Sequence, residues 1–80
     1  MKLITSADVG RRFINNGGRR CTIDFVARPA TCPDPVVVYV EGDNASDCET
    51  IYLTTSLTLF HDETRSSYDI ARWIDVEVPG

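Results

Sequence analysis

The segment Asn16-Gly17-Gly18 constrains this chain more than any other, because all three residues accept positive φ and β-type sequence flanks them on both sides. Residues 11–15 read as a short strand and residues 19–27 as its returning partner. In the returning segment Cys21, Ile23 and Phe25 alternate with Thr22 and Asp24. That period of two places the first three on a core and the others, with Arg20, toward solvent. A hairpin so early in a chain of 80 residues leaves room for one modest hydrophobic core, so residues 1–80 are expected to form one domain.

The rest of the chain follows the same pattern. Thr5 or Ser6 can cap one helical turn that Gly10 would end. Residues 28–35 hold three prolines and form an irregular loop. Residues 36–41, β-branched and aromatic without alternation, predict a central strand covered on both faces. Residues 42–47 make a polar turn, and residues 48–55 and 57–61 supply two more strands or one bent strand. Ser67 can cap a single helical turn through Arg72, after which Trp73, Ile74 and Val76 close the domain. The fold class is mainly β: a small twisted antiparallel sheet of about five strands, with one or two single-turn helices.

Several function classes are excluded or disfavoured. The longest apolar run, residues 36–40, is far shorter than a membrane-spanning helix, and the first residues lack a signal-peptide pattern, so a cytoplasmic protein is expected. Three cysteines, Cys21, Cys32 and Cys48, are an odd set and predict reduced thiols, with one disulfide left open; a zinc site would need His61 as a fourth ligand at unsuitable spacing. With a single histidine, no nucleophile elbow and no phosphate-cradling loop, the chain is not expected to be an enzyme or to need a cofactor.

Charge is the most uneven property. Residues 1–30 hold six Lys or Arg against Asp8 and Asp24, whereas the remainder holds Arg65 and Arg72 against ten acids, and the total is −4. Two binding surfaces follow if the fold keeps these halves apart. An acidic face of Glu41, Asp43, Asp47, Glu49, Asp62, Glu63 and Asp69 would meet a basic protein, blocking it by phosphate mimicry or steric cover. A basic face of Arg11, Arg12, Arg19 and Arg20, with stacking from Phe13 and Tyr39, would grip phosphates or an acidic protein. The acidic total argues against direct nucleic-acid binding and favours a protein partner. Exposed strand edges also allow a weak homodimer beside the monomer.

The order Asp8-Val9-Gly10, Phe13, Asn16-Gly17-Gly18-Arg19-Arg20, Ile23, Pro35-Val36-Val37-Val38, Glu41-Gly42, Tyr52, Asp69-Ile70 and Trp73-Ile74 is similar to a group of small phage and prophage β-rich domains of largely unassigned function. The resemblance spans about residues 8–75 and implies a compact antiparallel sheet, with an SH3-like barrel as one closure. Size, acidity and a phage origin also resemble anti-CRISPR inhibitors. The expected function is then a non-catalytic protein that binds a basic, nucleic-acid-handling subunit of a host defence complex such as a CRISPR effector. A nucleic-acid-binding or phage structural module using the Arg-rich hairpin is the alternative.

Overall fold

The computed structural model describes residues 3–27 and 33–74. Five strands form one sheet: β1 (Arg12–Asn15), β2 (Arg20–Val26), β3 (Val36–Val40), β4 (Glu49–Leu53) and β5 (Ile70–Trp73). Their spatial order is β4-β3-β2-β1-β5 and all neighbours are antiparallel. Among the described residues β4 and β5 are its two edges, and no ladder joins them to close a barrel.

Local sequence explains the connections. The Asn15 carboxamide oxygen accepts from the N–H groups of Gly17 (3.0 Å) and Arg19 (2.9 Å), closing the first hairpin around Gly18, whose φ is +80°. Thr5 caps a 3-10 turn, Ser6–Asp8, with a capping box in which Asp8 accepts from the Thr5 N–H at 2.9 Å. A second 3-10 turn, Ala45–Asp47, is capped by Asn44. Gly42 lets the chain close there, since a Cβ on it would stand 2.6 Å from the Asp47 carbonyl oxygen.

One face of the sheet carries the core: Phe13, Cys21, Ile23, Val26, Val36, Val38, Val40 and Leu53. Residues 54–69 run from the end of β4 back to the start of β5 and cover this face, burying Leu57 and packing Leu59 and Tyr68 against it. They dock on the first hairpin, where the Asn16 and Gly17 N–H groups donate to the Asp69 and Ser67 carbonyls, both at 2.9 Å. Ile4 closes the other end, its N–H donating to the Thr55 carbonyl.

Four expectations are corrected. Phe25 lies outside the core, because the β2–β3 register shifts between Ile23 and Phe25; this bulge turns Asp24 and Phe25 outward together and puts Val26 inside. β3 is covered on one face only, since among the described residues a single layer, residues 54–69, packs on the sheet: Val36, Val38 and Val40 are buried and Tyr39 is exposed. Residues 57–61 are turns, with Leu57 at φ +59° interrupting the extended backbone. Residues 70–72, expected as part of a helical turn, instead belong with Trp73 to β5, paired with β1. The proline-rich residues 28–32, with Cys32, and Val76 lie outside the described residues.

Candidate docking surface on the open sheet face

Directly paired residues of antiparallel strands share a face, so the ladders define the surface opposite the core. One cross-strand row is Phe25–Val37–Tyr52, the next Arg12–Thr22–Tyr39–Thr50, and the third Arg72–Ile14–Arg20. Among the described residues no element covers these rows: Phe25 is 59% exposed, Tyr52 60% and Tyr39 37%, and Arg12, Arg20, Thr50 and Arg72 are exposed as well. Aromatic and arginine side chains therefore share one exposed surface, apolar toward the Phe25 end and cationic toward the hairpin turn.

The expected basic face is divided by the fold. Arg12 and Arg20 point onto the open surface, where Arg72 joins them from β5. Arg11 does not; it leans on Asp8 at 3.3 Å, with its guanidinium carbon 3.7 Å from the Trp73 ring centroid. Arg19 sits at the turn and binds Asp43 through two bonds, of 2.6 and 3.3 Å. Phe13 is buried edge-on against Trp73, so only Tyr39 of the expected stacking pair reaches the surface.

The acids are likewise split into three groups. Glu41, Asp43, Asp47 and Glu49 gather around the β3–β4 turn, at the end where the first hairpin turns. There Asp43 is engaged by Arg19, which holds its carboxyl below the ordinary value, and Glu41 stands 4.0 Å from Arg12. Glu49 accepts from the Tyr68 hydroxyl at 3.2 Å, and this bond pushes the phenol pKa up. Glu41, Asp47, Glu49 and Tyr68 line a shallow cleft of about 270 Å³ with Asn15 and Arg19. Asp62 and Glu63 lie on the covering segment, with Asp62 folded back on Thr64, whose side-chain hydroxyl and then N–H (2.7 Å) lower its pKa by hydrogen bonding.

Asp69 corrects the acidic list outright. It is 6% exposed, and its carboxylate accepts from the Leu59 N–H (2.9 Å), the Ser66 N–H (3.1 Å) and the Ser66 hydroxyl (3.2 Å). It fastens the covering segment and is not a surface acid. The separation of charge along the sequence is partly cancelled in space, since Arg19–Asp43 and Arg12–Glu41 pair the two halves.

Cys21 and Cys48 are free thiols in different settings. Burial pushes Cys21 up to about 11. Cys48 belongs to the β3–β4 turn, accepting from the Gly42 N–H at 3.4 Å and donating to the Asn44 carbonyl at 3.5 Å. His61, next to Asp34 at 2.7 Å, is exposed midway along the covering segment.

Sequence reasoning missed Phe25, Tyr52 and Arg72 as surface residues. Tyr52 was within reach, since it alternates with the inward Ile51 and Leu53; no local signal marks the bulge that exposes Phe25 or the pairing that brings Arg72 beside Ile14. Comparison of the chain with protein-family models, curated proteins and solved structures finds no match.

Proposed function

We propose that this chain is a non-catalytic protein-binding module that docks its partner on the open face of the sheet. The observation that carries the reading is the exposed row Phe25–Val37–Tyr52, flanked by Tyr39. Phe25 and Tyr52, with Val37 between them and Tyr39 in the adjacent row, leave apolar area exposed in a monomer, and aromatic rings with nearby arginines are the residue types that dominate binding energy at protein interfaces. The partner class is the one expected from the resemblance to phage proteins, a basic, nucleic-acid-handling subunit of a host defence complex such as a CRISPR effector. It seats on the apolar Phe25 end of the face, away from the end that Arg12, Arg20 and Arg72 make cationic. Steric cover suits this surface better than phosphate mimicry, because the acids are divided among the turn, the covering segment and the interior.

The test is retention of effector subunits from a host lysate by immobilised protein, comparing the native chain with a Phe25→Asp, Tyr52→Asp variant and with Asp62→Asn as a control. The native chain and the control should retain the same subunit and the face variant should not. Equal retention by all three removes the open face as the interface. A second reading has its own observation: Arg12, Arg20 and Arg72 share that face with the aromatics, an arrangement suited to single-stranded nucleic acid. Oligonucleotide binding at low salt that is lost in an Arg20→Glu, Arg72→Glu variant would favour it over the protein partner.

A further inference from the structure

Among the described residues the sheet stops at β4, and the backbone on its outer side pairs with no further strand. The Glu41 N–H donates to the Arg20 carbonyl at 2.9 Å, which sets the phase of the β2–β3 ladder. Alternation then turns Val36, Val38 and Val40 toward β4, where they face Leu53, Ile51 and Glu49. Thr50 and Tyr52 consequently aim their N–H and C=O groups at the open side, where no further strand pairs among the described residues.

Protein edges are normally blunted by a bulge, a proline or a lysine. β4, with the sequence Glu49-Thr50-Ile51-Tyr52-Leu53, has no bulge, proline or lysine; its one charge, Glu49, stands at its first residue, and its register with β3 is unbroken over all five residues. The opposite edge differs: the β1–β5 register shifts between Ile14 and Asn15, and β5 carries its charge, Arg72, inside the strand instead of at its first residue. The two edges are thus unequal, and β4 is the one shaped to accept another strand.

We infer that β4 takes up an extended, basic segment of the partner protein as a sixth strand, a deepening that rests on the protein-binding reading above. The added strand runs antiparallel to β4, making paired hydrogen bonds with Thr50 and Tyr52. Its outward side chains extend the Phe25–Val37–Tyr52 row. Its C-terminal end reaches the start of β4, where Asp47 and Glu49 are exposed, and a Lys or Arg there meets their charge. A second copy of this chain is the poorer occupant: β4 laid antiparallel against itself brings Leu53 and Thr54 to Glu49, with no cation to meet the acidic turn.

The experiment is amide NMR on the whole protein titrated with a peptide of alternating Thr and Val ending in two Lys, against the same peptide ending in two Glu. With the Lys peptide, the Thr50 and Tyr52 amides should shift and exchange more slowly, and the Glu peptide should bind about tenfold or more weakly. Thr50→Pro removes an edge N–H and no internal ladder bond, so it should abolish the response while the circular dichroism spectrum is retained. Unchanged Thr50 and Tyr52 amides, equal binding of both peptides, or a full response in Thr50→Pro overturns the inference. So does protection of those amides in a concentration-dependent dimer without peptide. If Phe25→Asp abolishes effector retention and Thr50→Pro leaves it intact, the open-face reading stands and the added strand falls.

Discussion

Replacing Asp69 by alanine is the most searching perturbation of this fold, because it separates a structural carboxylate from an interaction residue. The side chain is 6% exposed and satisfies two backbone donors, Leu59 N–H and Ser66 N–H, together with the Ser66 hydroxyl. The hydroxyl can rotate to another acceptor; the two N–H groups cannot. Leaving a buried donor unpaired costs about 1–3 kcal/mol, so the loss should be about 2–4 kcal/mol when one donor is partly reached by water. For 80 residues the whole folding free energy is about 4–12 kcal/mol, so the change consumes a large share of it. Asp69→Asn keeps one acceptor oxygen for Leu59 but turns an amide toward the Ser66 N–H, and should lose about half as much. Urea unfolding followed by circular dichroism reads both variants, with an unchanged slope confirming a two-state comparison. An Asp69→Ala midpoint within about 0.5 kcal/mol of the native chain would refute the reasoning and return Asp69 to the surface acids.

Leu57→Ala empties a fully buried site beneath the covering segment and should lower stability by about 2–5 kcal/mol in the same unfolding assay. Gly18→Ala meets no steric neighbour but must hold φ at +80°, so a loss of about 1 kcal/mol is expected, from backbone strain alone. Thiol labelling of the folded protein at mildly alkaline pH should modify Cys48 well before Cys21, whose burial both shields the sulfur and disfavours the thiolate; equal rates would show that Cys21 is not enclosed. Asp43 and Asp62 have depressed pKa values when folded, so their contribution is complete above the ordinary aspartate value of 3.8 and lost as pH falls through the folded values. Asp43→Asn should therefore flatten the acid limb of the urea midpoint against pH, and an unchanged limb would show that the Arg19 pairing is not maintained in solution.

What is local in this chain was legible without a structure. Asn16-Gly17-Gly18 dictates the first hairpin through backbone chirality, and Thr5 and Asp8 sit at the spacing a capping box needs. The inward placement of Cys21 and Ile23 also follows from period two alone. Tertiary pairing decided the rest. A bulge between Ile23 and Phe25 moves an aromatic ring from the core to the open face, a one-residue register effect to which alternation is blind. Residues 70–73 are extended because β1 offers them an edge; in isolation residues 70–72 read equally well as part of a capped turn. The fate of the charges was decided last: Arg19 meets Asp43 and Asp69 turns inward through contacts between segments far apart in sequence. Distance along the chain carries no information about such pairs, so the half-basic, half-acidic division folds into a mixed surface, with its aromatic and arginine side chains gathered on one open sheet face.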